Sequence, residues 1–203
     1  MKPSKPYVIG LTGGIASGKS NLAHALREAG AIVIDADALS RKLTQPGGAA
    51  LPAIRQAFGD SVFMGEHLNR KAMADLIFSD EDKRQQLNGI IHPLVYADIE
   101  QQIAQCAADI VVLEIPLLHE TGYDAHCDEV WCAYVPQRIQ MERLRRRDGL
   151  TIREARARLQ SQLPGIEKAR RSTHVIRTDG TLEHSAQKVL ALWADVQERV
   201  RHD

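Results

Sequence analysis

The 203-residue chain is expected to fold as an α/β protein on a parallel sheet, and three observations carry that expectation. Short apolar, β-branched runs recur, first at Tyr7-Val8-Ile9-Gly10-Leu11 and then at Ala31-Ile32-Val33-Ile34. Between them, Asn21 to Ala29 carries Leu22, Ala23 and Leu26 at helical spacing, with Gly30 as its C-cap, so the chain opens with a strand–helix–strand unit. Residues 13 to 20, Gly13-Gly14-Ile15-Ala16-Ser17-Gly18-Lys19-Ser20, fit G-x-x-x-x-G-K-[ST], a spacing that belongs between a strand and a helix.

That octapeptide is a phosphate-binding loop, or P-loop, and its physics is specific. Gly13 and Gly18 allow backbone angles that a Cβ resists, so the loop can turn successive N–H groups inward on a phosphate. The following helix adds the positive end of its dipole. Lys19 is expected to reach the β- and γ-phosphates of a nucleotide, and the Ser20 hydroxyl to hold Mg²⁺. Asp35-Ala36-Asp37 follows the second strand, at the sheet edge where α/β proteins bind ligands. One carboxylate there can serve as general base on an acceptor hydroxyl and one can orient Mg²⁺ or its waters, while Asp37 is also placed to N-cap the helix Ala38 to Leu43.

The composition excludes several other classes. Hydrophobic residues make up 44% and charged residues 26%, enough for one full core, and the formal net charge is zero. No global field therefore draws the chain to nucleic acid or an anionic membrane. Cys106, Cys127 and Cys132 form no C-x-x-C pair and are expected as reduced thiols in the cytoplasm. Met1 to Pro6 lacks the apolar run of a signal peptide and is expected to be flexible, and the Ile110 to Leu118 run is too short to span a bilayer.

The remaining elements follow in order. Thr44 to Gly48 is a turn, and Ala49 to Phe58 a helix closed by Gly59. Ser61 to His67 reads as irregular, and Arg70 to Phe78 as a helix. Glu81 to Cys106 is mainly helical, with a kink or fresh start expected at Pro93. The residues leave open whether His92 is only an N-cap-like residue or also touches a ligand. Asp109 to Ile115 is the third strand; Glu114 stands at its end, as a half-buried strand residue or near a metal. Pro116-Leu117-Leu118-His119-Glu120 continues at the ligand edge. Glu129 to Val135 is the fourth strand, Gln137 to Arg147 a helix, Thr173 to Ile176 the fifth strand and Leu182 to Arg201 a final amphipathic helix. Eight arginines fall within the 21 residues 138 to 158. They read as a solvated face or as a mobile lid that brings one or two arginines, Arg143 or Arg147, to a transferring phosphoryl group.

The P-loop alone names no reaction, but no glycine has an aspartate three residues before it and Asn-Lys-x-Asp is absent, which argues against a switch GTPase. A small kinase fits better. Thr12 through Ser20, Ile34-Asp35-Ala36-Asp37 with Arg41, His92-Pro93, Pro116-Leu117-Leu118 with Glu120, Arg147-Asp148 and Gln162 occur in an order that resembles the dephospho-CoA kinases, over residues 7 to about 195. The resemblance implies a P-loop NTPase three-layer α/β fold with a five-stranded parallel sheet: one domain over 7–200, a helical acceptor-binding insertion at about 45–106 and a lid at about 138–170. It implies transfer of the γ-phosphoryl group of ATP, with Mg²⁺, to the ribose 3′-hydroxyl of dephospho-CoA. Asp37 would be the base and Asp35 would position metal or water, and Arg41, His92, Leu117 and Glu120 would help shape the acceptor site. The rival readings are another small-acceptor P-loop kinase and a regulatory nucleotide-binding protein. Four positions depart from the family pattern: Ala16 for a usual glycine, Ser40 for alanine, Thr178 for a frequent asparagine, and His119 for an apolar residue.

Overall fold

The computed structural model describes residues 5–202 and divides into two compact units, one built from the residues up to Asp35 together with those from Cys106 onward, the other from Ala36–Gln105. The flexible terminus expected at 1–6 lies, for residues 1–4, outside the described residues.

The first unit is the sheet and its covering helices. Its strands are β1 (Tyr7–Gly13), β2 (Ile32–Asp35), β5 (Ile110–Glu114), β6 (Glu129–Tyr134) and β7 (His174–Arg177), all parallel, in the order β2-β5-β1-β6-β7. The five apolar runs of the sequence are thus all strands, and the strand that ends in the P-loop is central. The register aligns Asp35 with Glu114 and Glu114 with Leu11, so two carboxylates sit side by side at the C-terminal edge.

Helices α1 (Lys19–Glu28) and α9 (Leu182–His202) pack on one face of this sheet. Ile9, Leu11, Val112, Trp131, Ala133 and Ile176 meet Leu22 and Leu26 of α1 and Val189, Trp193 and Val196 of α9. Each aliphatic side chain so buried contributes roughly 1.5–3 kcal/mol. The end of α1 is fixed by the double bond of a Schellman motif, Gly30 N–H to the Arg27 carbonyl at 3.0 Å and Ala31 N–H to the Leu26 carbonyl at 2.9 Å. Gly30 takes the left-handed angle this requires (φ 84°). Helices α6 (Gln137–Asp148) and α7 (Ile152–Gln160) pack together, and the short α8 (Gly165–Arg170) contacts β1 and β6.

At the opposite end of the sheet, buried Glu129 ties three elements. Its carboxylate accepts from Trp131 Nε1 (2.9 Å), Tyr7 Oη (3.1 Å) and Arg199 Nη2 (2.5 Å), linking β6, β1 and α9. Burial alone would raise the Glu129 pKa, but these three bonds outweigh it and hold the carboxyl below its ordinary value.

The second unit is helical. It contains α2 (Ala36–Leu43), α3 (Leu51–Phe58), α4 (Arg70–Ser79) and α5 (Glu81–Gln105), around a core of Ala50, Ile54, Val62, Met73 and Leu87. Asn69 caps α4, its side chain accepting from Ala72 N–H at 3.1 Å. Asp80 does the same before α5, accepting from Lys83 N–H at 3.1 Å.

Three sequence expectations are corrected here. No fresh helix starts at Pro93: α5 runs through it for 25 residues, with Leu87, Val95, Ile99 and Ile103 buried. Packing along that length offsets the one backbone bond that proline removes. The stretch 61 to 67 is not wholly irregular, since Phe63–Met64 (β3) and His67–Leu68 (β4) pair antiparallel. Asp37 is not an N-cap, because α2 begins at Ala36 and Asp37 sits inside its first turn, where the helix dipole still favours a carboxylate.

Candidate active site

The P-loop leaves β1 at Gly13 and enters α1 at Lys19, so Lys19 and Ser20 are the first helical residues. Their amides open a helix that provides no internal acceptor for them, which is the arrangement an anion needs. Gly18 is the N-cap, at φ 85°. The angle calls for glycine, and a Cβ there would also make a tight 3.3 Å approach to Thr178 Oγ1. At Gly13 a Cβ would fall 2.5 Å from Ser17 Oγ and 2.7 Å from the Ala133 carbonyl oxygen. Ser17 Oγ is buried under the loop with no hydrogen-bond partner among the described residues. Ala16, the departure noted in the sequence, is left-handed at φ 58°, a strained angle for a residue with a Cβ.

The loop is braced by residues far away in sequence. Ile15 is held at both backbone groups: its N–H donates to Gln162 Oε1 (3.0 Å) and its carbonyl accepts from Gln140 Nε2 (2.9 Å). Its side chain and Ala16 pack on Leu144, Ala155 and Leu159 of α6 and α7. Thr178 donates its hydroxyl to the Ser17 carbonyl, and its own carbonyl accepts from Arg143 Nη2 at 2.7 Å. Arg143, one of the two lid arginines singled out in the sequence, therefore stands beside Gly18. Arg147, the other, is turned to Asp148 in a two-bond pair (2.7 and 3.2 Å) that Arg158 joins at 2.7 Å. A cavity of about 380 Å³ opens beside the loop, with Ile15, Tyr134, Gln140, Gln162 and Ile166 among its walls.

Lys19 points to the end of β5. Its Nζ lies 2.7 Å from Glu114 Oε1, and Arg27 Nη2 lies 3.1 Å from Glu114 Oε2. Glu114, 3% exposed, is a fully buried strand residue rather than a half-buried one, and its two oxygens carry two cations.

The segment after β5 forms a second network. The Pro116 carbonyl accepts from Thr12 Oγ1 (3.1 Å) and from Lys168 Nζ (2.6 Å). Lys168 is fully buried and pairs with Glu120 at 2.7 Å, while Glu120 also accepts from Leu163 N–H at 2.9 Å. Burial pushes the Lys168 pKa down, against the raising effect of Glu120. His119, the apolar position of the family pattern, is buried between Asp124 (2.9 Å to Nδ1) and Ser172 Oγ (3.3 Å to Nε2), so its polar atoms are matched. Leu117 is half-buried in the same segment.

Asp37, Arg41 and His92 belong to the helical unit. Asp37 and Arg41 are exposed on α2. His92 is partly buried on α5, its ring tilted 37° to that of Tyr96 at 5.8 Å, and burial lowers its pKa below the ordinary imidazole value. Sequence reasoning missed Arg27, Gln140 and Lys168 as site residues. Nothing local marks them: each earns its place through a partner dozens of residues away.

The fold and the site define a small P-loop kinase: a phosphate loop on the central strand of a parallel sheet, braced by an arginine-bearing helical hairpin. The family model described as dephospho-CoA kinase matches residues 7–184. A dephospho-CoA kinase of Symbiobacterium thermophilum is 42% identical over 190 residues, covering 92% of this chain and 80% of that one. The crystal structure of TT1252 from Thermus thermophilus matches with a TM-score of 0.82 at 33% identity, covering 95% of this chain and 98% of that one. The dephospho-CoA kinase of Campylobacter jejuni, at 21% identity and a TM-score of 0.63, shares the fold over 94% of this chain and 97% of its own. The chain belongs to the dephospho-CoA kinase family.

Proposed function

We propose that the chain transfers the γ-phosphoryl group of ATP to the ribose 3′-hydroxyl of dephospho-CoA, releasing ADP and CoA. The observation that carries this is the P-loop of a family member with Lys19 and Ser20 in the first turn of α1, beside the carboxylate row at the ends of β2 and β5. The acceptor oxygen bonds to the γ-phosphorus, the bond from that phosphorus to the β,γ-bridging oxygen breaks, and the acceptor proton passes to a carboxylate. Asp37 is that base, and Asp35 orients metal or water. Lys19 and the loop amides hold the β- and γ-phosphates. Arg143, already beside Gly18, and Arg147, once released from Asp148, meet the charge on the transferring group. Arg41, His92, Leu117 and Glu120 shape the acceptor site.

Magnesium fits this donor set. It asks for one or two protein oxygens and otherwise takes phosphate oxygens and water. Ser20 offers an exposed hydroxyl in the first turn of α1, and among the described residues no three His, Cys, Asp or Glu side chains gather into a closed cage. Ser20 would hold the ion, which when bound neutralises charge between the β- and γ-phosphates. Cys106, Cys127 and Cys132 are free, which supports a cytoplasmic setting. No helix among the described residues is long and apolar enough to cross a membrane.

The direct test is ADP release with Mg-ATP, with and without dephospho-CoA, and the product weighed by mass spectrometry. Release that depends on dephospho-CoA, with one phosphate added to it, is expected. Release driven by some other acceptor would discard this substrate. Asp37→Asn should lower kcat by about a hundredfold or more while changing ATP affinity little, as loss of a general base does. The same split from Asp35→Asn alone would reverse the two roles.

A further inference from the structure

We propose that Arg27, at the far end of α1, is a positioning residue for the nucleotide phosphates, acting through Glu114. Glu114 is a buried carboxylate with two cations: Lys19 at 2.7 Å on one oxygen and Arg27 at 3.1 Å on the other. Both oxygens are matched. The inference rests on the reading of Lys19 as the ligand of the β- and γ-phosphates. When Lys19 turns to those phosphates, it takes positive charge away from Glu114 and brings negative charge toward it. A buried carboxylate left unpaired costs far more than an exposed one. Arg27 prevents that state, because its bond goes to the oxygen that Lys19 does not use.

The geometry suits this division of labour. Arg27 lies eight residues after Lys19, about 12 Å along the axis of α1 at 1.5 Å per residue, too far along the helix for its Cα to approach the loop. Side chains on a helix lean toward its N-terminus, and the guanidinium reaches back to the end of β5. Its side chain is 39% exposed, against 4% for Glu114 and 11% for Lys19, so the arginine keeps contact with water while it neutralises a buried group. It has no bond to the loop itself among the described interactions, so its effect on phosphate affinity must pass through Glu114. Arg27 thus sets the affinity for nucleotides that carry a β-phosphate, and leaves affinity for a monophosphate untouched.

The test is calorimetric titration of the full chain with ATP, ADP and AMP. Arg27→Met should weaken ATP and ADP binding about tenfold, the share of an unpaired-carboxylate cost that remains after discounting for solvent screening, and leave AMP binding as it is. Arg27→Lys should recover most of the loss. In a Glu114→Gln background the same Arg27→Met change should shift ATP affinity less than twofold, because the charge it serves is gone. Equal losses for AMP and ATP, an undiminished loss in the Glu114→Gln background, or unchanged ATP and ADP affinity would each overturn the inference. Lys19→Ala separates the two readings: if it spares ATP and ADP affinity, the assignment of Lys19 fails, whereas if it abolishes their binding while Arg27→Met has no effect, only the role of Arg27 fails. Arg27→Gln provides a second neutral variant if Arg27→Met does not fold.

Discussion

A single methyl group sits at an unfavourable angle in the P-loop. The left-handed backbone of Ala16 at φ 58° costs about 1–2 kcal/mol, while glycine there would cost about 0.5–1 kcal/mol through the freedom it adds to the unfolded chain. Ala16→Gly also removes a methyl that packs on Leu144, Ala155 and Leu159, worth up to about 0.8 kcal/mol, so it should leave stability within about 1 kcal/mol of the parent, and Ala16→Val should lower it by more than that; urea unfolding of both variants measures the pair. The octapeptide around Ala16 was legible from sequence because its chemistry is local: angle, amide and charge all lie within eight residues. Lys168 was not legible. In sequence it is one lysine on a short polar helix, and only the tertiary structure shows it fully buried between the Pro116 carbonyl and Glu120. The same reason hid Gln140, which reads as a surface residue of an arginine-rich helix until its amide is found on Ile15.

At the scale of elements, the strands were the best-read part of the chain. Four- to seven-residue β-branched runs have few alternatives when a helix of clear period separates the first two. The helical unit was harder. Proline argued for a kink or a fresh start at residue 93, and the fresh start lost to the buried face of α5. The two-residue strands β3 and β4 are too short for alternation to register. Glu129 yields an element-scale prediction. Its carboxyl is held below the ordinary value of 4.5 by bonds that join β1, β6 and α9. A depressed folded-state pKa contributes stability above the unfolded value and loses it as pH falls through the folded one. Stability should drop as pH falls below about 4.5, and Glu129→Gln should flatten that acid limb in denaturant titrations at stepped pH. A variant with the wild-type slope would place the acid sensitivity at some other carboxylate.

For the molecule as a whole, the nucleotide should act as a stabiliser of the sheet unit, since Lys19 and the loop are formed only in the folded chain. At a hundredfold excess over Kd, Mg-ATP should add about 2.7 kcal/mol, read as a rise in Tm, and Lys19→Ala should erase most of that rise. A shift that survives Lys19→Ala would mean that the stabilising site lies elsewhere. The order of the strands carries one more consequence. The outermost strands of the sheet, β2 and β7, are its shortest, four residues each, although Ile32 and Val175 on them are exposed. The long strands, β1 and β6, are enclosed on both sides by their neighbours. A foreign chain that seeks to extend the sheet meets only a four-residue ledge at either border, too little backbone to seed a growing fibre. The arrangement that centres the phosphate loop thereby also guards a concentrated protein against edge-to-edge aggregation.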